Sequence, residues 1–180
     1  RVLERGEEPT LERVAAEVDV SRVNAYRYLR RIESMLRALT LAGLVAPTRT
    51  ILAGAEDATA EAQALAVHRY FYRLAVENES AFRHLIRAVV DEQLREGGEP
   101  GYEPVRGGFR LRSFSEALAP LDGRIPEPTL DHLRTALVAL SGIEALMTVK
   151  DVLGLEPAEG ARALEWAART LLRAAVQESR

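Results

Sequence analysis

Five arginines, at positions 22, 27, 30, 31 and 37, fall between Arg22 and Arg37 against a single acid, Glu33. The chain as a whole has a net charge of −3, so this cluster is a local footprint and not a general tendency. Lys150 is the one lysine in the chain. Positive charge is therefore almost all guanidinium, which suits bidentate contact with phosphate and with guanine. Asn24, Tyr26 and Tyr28 are interleaved with the arginines. Asparagine pairs well with adenine, and hydroxyls reach phosphate oxygens. The chemistry that fits this set is the reading of a nucleic-acid duplex. Arg22 and Asn24 are the candidate base readers. Thr10, Tyr28, Arg30 and Arg31 are candidate phosphate contacts, and Ser21 and Arg27 complete the set. Tyr26 has two open roles, as a core ring or as a ring whose hydroxyl reaches outward.

These residues need a rigid frame, and the stretch from Thr10 to Leu36 supplies one. Leu11, Val14, Ala15 and Val18 recur at helical spacing. Thr10 is a natural N-cap, and Pro9 precedes it. Asp19 falls where the chain must turn, Val20 plugs the turn, and Ser21 caps a second helix. Two short helices joined in this way form a helix-turn-helix, whose second helix enters the DNA major groove. The simpler alternative is a helical hairpin with a solvated arginine face. Arg1–Glu8 reads as the end of a helix with Gly6 as its C-cap, so the first helix of this unit is expected to begin upstream. A bridging helix starts near Arg31 and is stopped by Gly43 and Pro47. The expected division is a DNA-binding domain over 1–46 and a helical regulatory and dimerisation domain over 48–180.

Hydrophobic content is 47%, enough for a core, and Ala, Leu, Arg and Glu dominate. That composition predicts an all-α fold. Residues 48–58 read as a connecting segment. The next helix spans Thr59 to Glu77, with Ala62, Leu65, Ala66, Tyr70 and Leu74 on one side. Asn78 or Ser80 caps another, which ends at Gly97-Gly98. Residues 97–108 hold five glycines and two prolines and read as a loop. Phe109 to Leu118 resumes as a helix. Thr129 is expected to cap a long helix running to about Leu153, and Pro157 starts a last helix running to about Gln177.

The two closing helices are apolar on more than one side, which a lone monomer does not need. Paired with a second copy they would make a four-helix bundle. The candidate interface residues are Leu146, Val149 and Leu153 on the first, and Leu164, Trp166, Ala167, Leu171, Ala174 and Ala175 on the second. The alternative is that both are central core helices. A ligand pocket would lie among the middle helices. Its candidate liners are Phe71, Phe82, Leu85, Ile86, Phe109 and Phe114, with Leu137, Glu144 and Met147; for the apolar ones plain core is the rival role. Glu79 and Arg83 can pair at i, i+4. Glu144 is an acid in an otherwise apolar helix. Buried, it needs a partner such as an arginine, either as a structural ion pair or as a group that meets a cationic ligand.

There are no cysteines, which excludes disulfides, thiolate metal sites and cysteine nucleophiles. The histidines at 68, 84 and 132 are scattered, and no Glu-x-x-His occurs. No glycine-rich phosphate loop and no Gly-x-Ser-x-Gly is present. No catalytic residue, metal site or cofactor is expected, and the chain does not read as an enzyme. No apolar run has membrane-spanning length, so a cytoplasmic protein is expected.

VAAEVDVSRVNAYRYLRRIESML resembles the DNA-binding signature of the TetR family of transcriptional regulators. The resemblance rests on Ala15-Ala16, Val20-Ser21, Tyr26, Tyr28 and Leu36. The segment from Ala117 to Val176, with Glu77-Asn78-Glu79 and Arg83, is similar to the ligand and dimerisation domain of one group of these regulators. Three positions depart from the pattern. Asp19 stands where glycine is usual, Leu29 where an aromatic ends the recognition helix, and Ile32 where a phosphate-binding lysine is usual. Arg30 or Arg31 could supply that contact. The resemblance implies a homodimeric, all-helical repressor with two recognition helices one turn of DNA apart on a palindromic operator. An unidentified small-molecule effector would release it. The competing expectation is a helical ligand- or protein-binding module whose DNA-reading part has degenerated.

Overall fold

A computed structural model describes residues 43–55, 58–96 and 108–178. Every regular element among them is helical. Of these residues, 43–84 and 108–178 belong to one compact unit and 85–96 to a second. The expected helix-turn-helix lies outside the described residues.

The larger unit begins where the bridging helix is expected to end. Gly43 and Leu44 are helical, and the helical conformation ends just short of the expected stop at Pro47. Pro47 has φ −54° and ψ 145° and opens a four-residue helix, α1 (Thr48–Ile51). The sequence gives no sign of α1, because one turn is too short to show a period. It is fixed instead by a distant contact: Thr48 Oγ1 lies 3.0 Å from Ser113 Oγ, and both side chains are buried.

Helix α2 (Ala60–Glu77) is the central element. Thr59 caps it, accepting a hydrogen bond from the Ala62 amide at 3.3 Å. Its buried residues include Ala64, Leu65, Val67, His68, Phe71, Leu74 and Ala75. This face is wider than the expected stripe and turned from it: Ala62 is exposed and Tyr70 half-buried. The reason is that α2 is covered by helices from two sides, so no single amphipathic stripe describes it. Asn78 ends the helix, its backbone amide and its Nδ2 both donating to Leu74 O at 3.1 and 3.0 Å.

Helix α3 (Glu79–Glu96) starts in the larger unit and continues into the second. In the second unit Leu85 and Val89 are buried, while Val90 and Leu94 are exposed. Helix α4 (Phe109–Leu118) follows the glycine-rich segment and ends in a 3-10 turn at Ala119–Leu121.

The long helix expected from Thr129 to Leu153 does not form as one piece. Pro126, not Thr129, is the N-cap of α5 (Glu127–Ala139). The chain then breaks at Leu140–Gly142, resumes as α6 (Ile143–Met147), and passes into a π-turn at Thr148–Val152. Gly142 has φ 80° and ψ −156°, a region essentially reserved for glycine. Arg110, on α4, fills the space beside the break: a Cβ on Gly142 would stand 2.6 Å from Arg110 Nη1. Helix α7 (Pro157–Gln177) has the expected limits. The Glu156 amide donates to the Glu159 carboxylate at 3.3 Å, one half of a capping box.

One hydrophobic core binds α2, α4, α5 and α7. It contains Phe71 and Leu74 from α2, Phe114 and Leu118 from α4, Leu130, Leu133 and Leu137 from α5, and Ala168 and Leu172 from α7. Each fully buried leucine or phenylalanine here stabilises the fold by about 1.5–3 kcal/mol. Gly160 lets α7 close on α2 and the π-turn, since a Cβ there would collide with the Val149 methyls and stand 2.9 Å from Tyr72 Oη. Tyr72 Oη donates to Pro157 O at 3.0 Å.

Candidate functional site

The candidate DNA-binding residues Thr10, Ser21, Arg22, Asn24, Tyr26, Arg27, Tyr28, Arg30 and Arg31 all lie outside the described residues. The larger unit nevertheless shows how the segment leading out of the bridging helix is held. The Tyr70 hydroxyl accepts a hydrogen bond from the Ala46 amide at 2.7 Å and donates to Leu44 O at 3.2 Å. One α2 side chain thus fixes the backbone at Leu44 and Ala46, just before Pro47.

The apolar pocket candidates occupy several settings. Phe71, Phe114 and Leu137 are parts of the packed core, and Phe82 lies against it. Phe109 is at the surface at 36% exposure, and Met147 is half-buried. Leu85 and Ile86 belong to the second unit. Core packing therefore accounts for the most buried of these side chains, as periodic apolar residues usually require.

Glu144 has the arginine partner that its surroundings demand. Arg110 Nη1 lies 2.9 Å from Glu144 Oε2. The same nitrogen donates to Val138 O at 3.3 Å and makes a short hydrogen bond to Ser141 O. Arg110 thus caps the open end of α5 and neutralises the first acid of α6. The sequence shows the need for an arginine, but the choice among the arginines is made by a helix 34 residues away.

A second charged cluster ties α3 to the π-turn. Arg83 Nε donates to Glu79 at 2.8 Å, as the i, i+4 spacing predicts, and its two terminal nitrogens grip Asp151, each at 2.7 Å. Lys150 Nζ closes the set on Glu79 at 2.7 Å. The Lys150 and Arg83 hydrogen bonds hold the Glu79 carboxyl below its usual range, and Arg83 does the same to Asp151. Every charge is matched, so the cluster acts as a tie and not as an ion trap.

A third network crosses from α2 to α7. Arg69 grips Glu165 through Nε and Nη2 at 2.8 and 2.6 Å, and Arg169 adds a bond at 2.8 Å. Glu61 receives Arg169 and Arg173 at 3.4 and 3.1 Å. Among the described residues no group of His, Asp and Glu side chains is arranged to hold a metal, and no helix is long and apolar enough to cross a membrane.

The nine interface candidates separate into two groups and two single residues. Leu146, Val149 and Ala175 are buried within the chain at 0, 3 and 7% exposure, so they offer no surface to a partner. This corrects their expected role; the broken helix turns Leu146 and Val149 inward. Leu164, Ala167, Leu171 and Ala174 share a stripe along α7, half-buried or exposed, at the spacing of a helix-pairing seam. Leu153 is 58% exposed on the segment before α7, beside Val152 and Leu155. Trp166 is 70% exposed but stands about a third of a turn from that stripe.

Two residues that spacing alone does not single out occupy the middle of the unit. His68, on α2, and Ser141, at the α5–α6 break, are both buried, with Nδ1 and Oγ 3.0 Å apart. No family model matches the chain, and neither a curated protein nor a solved structure matches it.

Proposed function

We propose that the chain is a DNA-binding transcriptional regulator of the TetR kind. In this reading it is a homodimeric repressor that reads a palindromic operator and is released by a small-molecule effector. The observation that carries the reading is the stretch Thr10–Leu36, where cap, turn residue, tyrosine pair and five-arginine cluster coincide. The α7 stripe supports the dimer. Leu164, Ala167, Leu171 and Ala174 leave small and apolar side chains half-buried or exposed along α7, about a quarter turn from the side that Ala168, Leu172 and Ala175 give to the core.

In the dimer, Arg22 and Asn24 would read base edges while Thr10, Tyr28, Arg30 and Arg31 hold phosphates. The test is selection from a random-sequence duplex library, followed by binding at several salt concentrations. The expected result is an enriched palindrome and a steep fall of affinity with salt. Arg22→Ala is expected to weaken binding by about 1–3 kcal/mol and to relax the preference at one position in each half-site. Binding that ignores sequence and salt would instead favour a helical module whose DNA-reading part has degenerated, the reading to which Asp19 and Ile32 point.

A further inference from the structure

His68 sits on α2 at 1% exposure, and the function proposed above gives it no role. Ser141 Oγ donates its only proton to Leu137 O at 2.7 Å. It must therefore accept from His68, so the hydrogen on the ring is at Nδ1. This bond joins residues 73 positions apart and ends at the break between α5 and α6. There α5 stops, Gly142 turns at φ 80°, and Arg110 holds the loose carbonyls of Val138 and Ser141.

The charges around the ring leave no place for a second cation. Arg69 is its neighbour on α2, Glu165 faces it from α7, Arg110 reaches Ser141 from α4, and Glu144 lies beyond on α6. Both carboxylates are engaged, Glu165 by Arg69 and Arg169, and Glu144 by Arg110. α5 contributes a backbone carbonyl. Burial keeps the ring's pKa below the ordinary 6.5, against the pull of Glu165.

We propose that His68 is a proton-operated catch on the α5–α6 joint. Neutral, it holds the joint closed through Ser141. When it takes up a proton from mildly acidic solution the ring leaves its dry site, and α6 and the π-turn behind it loosen. The direction follows from linkage. The open form binds the proton more tightly than the closed form, so the catch contributes in full above pH 6.5 and weakens as pH falls from there toward the lower value of the buried ring. One proton per opening sets the steepness: the opening constant rises at most about tenfold per pH unit.

Hydrogen exchange on the full chain tests this, read as protection of the amides of residues 138–148 at about pH 7.5 and about pH 5.5 and corrected for intrinsic exchange. The wild type is expected to lose protection at the lower pH. His68→Asn keeps an amide donor where Nδ1 stands and cannot titrate, so its protection is expected to be independent of pH. Protection unchanged in the wild type, or lost equally in His68→Asn, overturns the proposal. Should that variant fail to fold, the His68 ring signal in the wild type decides. A ring that charges only as protection is lost supports the catch, and a ring that charges with protection intact refutes it.

Discussion

Glu165 meets two guanidiniums, and its acidity records the fact. The hydrogen bonds from Arg69, followed by those from Arg169, pull its pKa down from 4.5 to about 2. A carboxylate lowered on folding stabilises the native state above its unfolded value and loses that contribution as pH falls through its folded one. Stability should therefore decline between pH 4.5 and about 2 in part because of this residue. Glu165→Gln is expected to cost about 1 kcal/mol at neutral pH, as a partly exposed network pair does. It should also flatten the acid decline, which urea titrations across pH will measure. At this scale the sequence was legible where partners are local. Glu79–Arg83 follows from i, i+4 spacing, and Lys150 and Asp151 join it only through the fold. Glu144 announces that it needs an arginine without indicating Arg110. His68 and Ser141 are silent, because a buried hydrogen bond between distant residues leaves no local pattern.

Among the elements, the ones that could be read are those with punctuation. Thr59, Asn78 and Pro157 mark helix ends, and α2, α4 and α7 run between the expected limits or within one residue of them. The break after α5 escaped because the apolar period runs on through Ser141 and Gly142, and a single glycine is tolerated in a helix at about 1 kcal/mol. What marks that glycine as a break is its φ of 80°, with Arg110, supplied by another helix, bonded to the carbonyls the break leaves free. Gly142→Ala is expected to lower stability by about 1–3 kcal/mol, because its conformation suits glycine alone and Arg110 occupies the space of the new methyl. Thermal or urea unfolding gives the figure directly. A neutral result would mean that the joint can straighten into a continuous helix.

For the whole molecule, the all-helical class was plain from composition, and the second closing helix left five of its six interface candidates exposed or half-buried, Ala175 being core. In the first, the apolar side chains Leu146 and Val149 are used inside the chain. A helix apolar on several sides can be satisfied by its own fold or by a partner, and composition does not distinguish the two. The exposed α7 stripe places the dimer prediction. Leu171 is 37% exposed, so Leu171→Arg should leave the unfolding temperature nearly unchanged while shifting the sedimenting species from dimer to monomer. A dimer that survives the change would put the contact on another face.

The π-turn also limits how the chain can vary in length. The Leu153 amide donates to Thr148 O at 3.1 Å, five residues back, where an α-helix would bond four back. The turn therefore holds one surplus residue. A deletion at Thr148 or Val149 would close an ordinary α-turn and move Lys150 and Asp151 back one position, about 100° around the axis. Lys150 and Asp151 could then no longer meet Glu79 and Arg83 together. Single-residue gaps in this short segment should be rare among functional variants, even where substitutions are common.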